Sequence, residues 1–92
     1  MLIDLHPRDE IHLRLSASDV RVTHFIQFLD ESRIVVEQTR PEIDNTALMS
    51  LIFFTYRLHK NKNQRIGFQA RIENVTPDRR IFVRRLTQPF IC

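Results

Sequence analysis

Glycine is almost missing from these 92 residues, Gly67 being the only one, so a glycine-rich loop cradling phosphates is excluded. Cysteine is equally scarce: the single thiol, Cys92, permits no internal disulfide and no cysteine-based metal cluster. The four histidines, His6, His12, His24 and His59, include no pair at the i, i+4 spacing of a helical metal site, so no metal centre is expected. Acids are scattered and no serine stands in a nucleophile elbow, which argues against catalysis. No run approaches the roughly eighteen uninterrupted apolar residues of a membrane span. The opening MLIDLHPRDE carries acids where a secretory signal has a basic start and an apolar centre, so the expected location is cytoplasmic.

What is present is a chain of ordinary apolar content, 42%, with seven Phe, sized for one domain over residues 1–92. A core at this size buries roughly 60–65% of the unfolded surface, which leaves little room for a deep cleft. The net charge of +3 conceals two opposed halves. Residues 1–46 hold five Arg against nine acids, and residues 47–92 hold nine Lys or Arg against two acids. Such asymmetry serves either an anionic partner or attraction between the halves within the fold.

Six strands are expected, with almost no helix. Ile11 to Ser16 alternates apolar and polar residues, and Pro7-Arg8-Asp9-Glu10 before it reads as a turn. Val20 to Leu29 is predicted to place Val20, Val22, Ile26 and Phe28 on one face and Phe25 and Leu29 on the other, and to pair as a hairpin with Arg33 to Gln38. Pro41 lies in an irregular stretch, Thr39 to Thr46, because it cannot donate to a ladder; a brief helical turn is expected at Asn45 or Thr46. Leu48 to His59 is apolar on both faces near Leu51 to Phe54, as in a strand covered on both sides, and its β-branched and aromatic run favours strand over helix. Ile66 to Asn74 has the clearest period of two. Lys60 to Asn63 and Thr76-Pro77-Asp78-Arg79 supply the turns on either side of it. Arg80 to Leu86 is the sixth strand, after which Pro89 directs the tail outward, while Met1, Leu2, Ile3 and Leu5 are free to lie against the core or a neighbour. The fold class this implies is all-β, a small six-stranded antiparallel split barrel, since closing the sheet removes its edges.

Arg79, Arg80, Arg84 and Arg85 form the strongest polar signal, with Arg71 in the neighbouring strand. On a strand, Arg80 and Arg84 point to one face and Arg79 and Arg85 to the other. Guanidinium forks grip carboxylate or phosphate oxygens at two points, so these five residues are the candidate binding patch for an acidic protein, a nucleotide or a nucleic acid. The plainer reading is a solvated strand that uses charge to discourage edge pairing. RNA or single-stranded DNA would also need exposed aromatics to stack on, and most Phe here fall in phase with the apolar face.

The strand order and its punctuation resemble the N-terminal barrel of flagellar-brake-type PilZ proteins. The stretches that carry the resemblance are RIVVEQTRPEI (Arg33 to Ile43), LIFFTYRL (Leu51 to Leu58), RIGFQARIENV (Arg65 to Val75) and IFVRRLTQPF (Ile81 to Phe90), within Val22 to Phe90. The resemblance implies a non-catalytic regulatory module that contacts a partner protein or an adjacent PilZ domain in cyclic diguanylate signalling, in control of motility or surface polysaccharide. In that family the dinucleotide is held by an Arg-x-x-x-Arg segment and a later Asp/Asn-x-Ser-x-x-Gly segment. Arg80 to Arg84 has the first spacing, but inside an expected strand, and no second segment follows it. Asp30-Glu31-Ser32 begins the second pattern, with Val35 where glycine is required. No cofactor is therefore expected of these residues themselves.

Overall fold

Two three-stranded meanders close on each other in the computed structural model, which describes residues 4–92. The first meander comprises β1 (Glu10–Ser16), β2 (Asp19–Phe28) and β3 (Arg33–Glu37); the second comprises β4 (Leu51–Arg57), β5 (Arg65–Thr76) and β6 (Arg80–Arg85). All pairings are antiparallel, and β1 with β4 and β3 with β6 join the two sets, so the ring runs β1-β2-β3-β6-β5-β4 and returns to β1. Closure satisfies both edges of this six-stranded barrel, the architecture expected from the sequence. One 3-10 turn, Asn45–Ala47, is the only helical element among the described residues, capped by the Asp44 carboxylate accepting from the Thr46 amide. The strand reading of Leu48 to His59 holds over β4, and Met1, Leu2 and Ile3, expected near the core, lie outside the described residues.

The core follows from the period of two. Ile11 and Leu13, Ile34 and Val36, Ile52, Phe54 and Tyr56, Phe68, Ala70 and Ile72, and Ile81 and Val83 all turn inward and are buried. Phe54 and Phe68 are register partners whose rings stack with centroids 4.6 Å apart. Leu5 adds to this cluster from the lead-in.

Four expectations are corrected. In β2 the inward residues are Thr23, Phe25 and Phe28, while Val20 and Val22 are exposed; a bulge between Phe25 and Gln27 changes the phase, so no single alternation describes the strand. In β4 only one face is covered: Leu51 is 59% exposed, because nothing packs over the outside of the barrel there. The tail does not leave the fold. Beyond Pro89, β7 (Phe90–Ile91) returns to β5 with Gly67↔Phe90 and Ile66↔Ile91, occupying the edge that β6 vacates after Arg85. Finally, Arg79 lies in the turn where Thr76-Pro77-Asp78-Arg79 was expected, and so does not share a strand face with Arg85. It occupies the left-handed region (φ 65°) in the hairpin loop between Thr76 and Arg80, where its amide donates to the Thr76 carbonyl at 3.2 Å.

The irregular stretch after β3 is held by side-chain hydrogen bonds, most of them from Gln38 and Arg21. Gln38 donates through Nε2 to the Ile43 carbonyl and accepts through Oε1 from the amides of Thr39 and Ile43, all at 2.9–3.0 Å. Arg21 adds donations to the carbonyls of Pro41 and Glu42.

Candidate partner-binding face

The outer surface of the second meander carries both halves of the candidate site. Along β4 the outward residues are Leu51, Phe53 and Thr55; the Phe53 ring lies across Gly67 of β5 and is tilted against Phe90 of β7, centroids 5.5 Å apart. A Cβ on Gly67 would stand 2.8 Å from the Phe53 ring and 2.6 Å from Cys92 Sγ, so the only glycine of the chain is where a ring and a thiol need to reach the backbone. Phe90 and Ile91 are 46% and 64% exposed, and Met49, just before β4, is also exposed. An apolar strip thus runs from Met49 through Leu51 and Phe53 to β7.

Beside this strip runs a row of arginines set by strand register. Arg33 of β3 is opposite Arg84 of β6, Arg84 is opposite Arg71 of β5, and Arg71 is opposite Leu51. Like charges directly opposed across a sheet repel, so the row requires counter-ions. Glu73, two residues on from Arg71, falls on the same outer side by simple alternation, and its carboxylate accepts from Arg84 Nε at 2.8 Å. This pairing holds the Arg84 guanidinium above its usual range. Asp30 accepts from Arg33 Nε at 2.7 Å and from the amides of Ser32 and Arg33, and these donors, the Arg33 side chain foremost, hold its carboxyl well below the usual carboxylate range. Ser32 Oγ accepts from Arg84 at 3.3 Å.

The five arginines singled out by the sequence do not form one patch. Arg71 and Arg84 are neighbours in the row. Arg80 lies four residues along β6 from Arg84, roughly 13 Å away at strand rise. With Arg79 and Arg40 it lines a shallow groove of about 390 Å³. Arg79 pairs with Glu42 there, and Arg80 stands 3.8 Å from Asp78. Arg85 points to the barrel end and donates to the carbonyls of Thr87 and Glu31. Arg33, which completes the row, and the outward Phe53 and Phe90 were not singled out by the sequence; the apolar excess on both faces of Leu51 to Phe54 was a signal for Phe53, and none pointed to the other two.

A second cluster gathers at the other end of the barrel. The His6 and His59 rings stack at 4.0 Å, with His59 Nε2 2.7 Å from Asp9 Oδ2 and His6 Nε2 2.8 Å from Asp4 Oδ1. Asp9, Arg57, His59, Lys62 and Arg65 line a shallow groove of about 500 Å³. Burial there lowers the Arg65 guanidinium below its usual range, and burial pushes the inward Tyr56 phenol up to about 12. Among the described residues no group of three or more His, Cys, Asp or Glu is placed to hold a metal ion, and no helix is long and apolar enough to cross a membrane. Comparison with protein families, curated proteins and solved structures finds no match to this chain.

Proposed function

We propose that this barrel is a non-catalytic interaction module that docks a partner protein or an adjacent domain, in the cytoplasm, on the outer face of β4, β5, β6 and β7. The observation that carries this reading is the strip of exposed Met49, Leu51, Phe90 and Ile91, with the half-buried Phe53 among them, lying against the arginine row. Exposed apolar groups rimmed by charge mark interaction surfaces, and most of this strip is aliphatic, which suits side chains of a protein better than stacked bases. The setting proposed with it is cyclic diguanylate signalling, in which this module is accessory and the dinucleotide binds elsewhere. A photo-crosslinking residue at position 51, with position 24 on the far side as control, tests the docking face in the native cell. A discrete protein adduct from position 51 alone is expected; equal labelling from both positions would sink the assignment. Titration calorimetry with cyclic diguanylate is expected to show no specific heat, and micromolar binding lost in Arg80→Ala would overturn the accessory role.

One observation favours a second reading, an RNA or single-stranded DNA binder: Phe53 and Phe90 face outward beside arginines, as stacking requires. Binding of that kind weakens steeply with salt through counterion release. A gel shift at low salt that disappears as salt rises would favour it; no shift at low salt removes it.

A further inference from the structure

Four of the five arginines proposed from the sequence are occupied, Arg79, Arg80 and Arg84 by carboxylates and Arg85 by two carbonyl oxygens. Arg71 is not. Among the described residues its side chain makes no hydrogen bond and no ion pair, and its Nε is buried without an acceptor. Arg85 Nε is also buried without an acceptor, but that side chain is already tied down by its other nitrogens. A half-buried guanidinium with an orphaned donor, set opposite a second arginine, is costly unless something supplies negative charge.

We infer that Arg71 is the anion-binding centre of the docking face and receives a carboxylate from an acidic side chain of the protein partner, with apolar neighbours of that side chain covering Leu51 and Phe53. This rests on the interaction reading above and adds the chemistry of the contact. The charge balance of the row selects the ligand. Arg84 and Arg33 are already matched one to one by Glu73 and Asp30, so a single positive charge is left over. A carboxylate neutralises it; a phosphate dianion would need a second free cation. The geometry of an arginine fork fits the two carboxylate oxygens, and the register partner Leu51 places an apolar contact directly beside it.

The buried Arg71 Nε–H is a direct reporter by nitrogen-15 NMR. The probes are acetyl-Leu-Glu-Leu-amide, acetyl-Leu-Gln-Leu-amide and inorganic phosphate, each added to the intact protein at fixed ionic strength. The Glu peptide is expected to shift the Arg71 Nε–H signal saturably, with a half-saturation concentration about tenfold below that of the Gln peptide, as a charge-assisted hydrogen bond provides. In Arg71→Gln that preference is expected to vanish while Leu51 and Phe53 signals still respond. Equal affinity for both peptides, with Leu51 and Phe53 responding, overturns the inference and leaves the docking face standing. Phosphate acting at lower concentration than the Glu peptide overturns the carboxylate assignment. Silence at Arg71, Leu51 and Phe53 alike overturns both readings.

Discussion

Arg84 and Arg71 stand directly opposite each other on β6 and β5, and only Arg84 is matched by a carboxylate. Glu73 reaches Arg84 from the same outer face of β5 that carries Arg71. Removing its charge leaves Arg33, Arg84 and Arg71 in line with Asp30 as the one counter-ion. Glu73→Gln is therefore expected to lower the Tm, and to lower it less in an Arg71→Gln background, where the repulsion is already relieved. Thermal unfolding of the wild type, both single variants and the double variant measures this; additive effects would show that the two arginines do not interact.

The stacked pair Phe54 and Phe68 fills the centre of the barrel, both fully buried. Phe54→Ala removes a ring that the closed sheet cannot collapse around, with an expected cost of about 3–5 kcal/mol. For a domain whose total stability is of order 5–15 kcal/mol, that is a large share. Urea unfolding should show the midpoint falling with little change in slope; a loss below about 1 kcal/mol would mean the core repacks freely.

Gly67→Ala sets a methyl against the Phe53 ring and Cys92 Sγ. Both are side chains that can move, so the barrel is expected to survive while β7 loosens from β5. The readout is the Cys92 thiol: its reaction with an aromatic disulfide reagent should accelerate in the variant relative to the wild type. An unchanged rate would show that β7 is not held through this contact.

Asp30 binds a proton less readily in the folded barrel than in the unfolded chain, because Arg33 and two amides donate to its carboxylate. Its contribution to stability is therefore present above the ordinary carboxylate pKa and declines as the pH falls toward the lowered folded value. Asp30→Asn is expected to be less stable than the wild type at neutral pH, with the difference shrinking below about pH 4. A difference that stays constant down to pH 2 would show that charge at position 30 is not what matters.

Period-two burial made most of the strands legible before any coordinates. Ile11 and Leu13, Phe68 and Ile72, and Ile81 and Val83 are inward wherever alternation placed them. It failed in β2, where the bulge after Phe25 reversed the facing of the strand, since a single extra residue flips every side chain beyond it. Alternation also could not say whether Leu51 and Phe53 would be covered: Leu51 is left exposed, and Phe53 is half-buried against Gly67 and Phe90.

The sequence by itself determined that the chain folds as β-structure, where most of its turns lie, and that its positive charge sits in the second half, because those properties depend on local propensity and spacing. Only the tertiary structure decided which charges survive. Pairing of β3, β6 and β5 put Arg33, Arg84 and Arg71 in one row, set Glu73 against Arg84 beside the local Asp30–Arg33 pair, and left Arg71 unmatched next to a largely open apolar strip. Register between strands far apart in the chain sets that outcome, and no local pattern of residues encodes it.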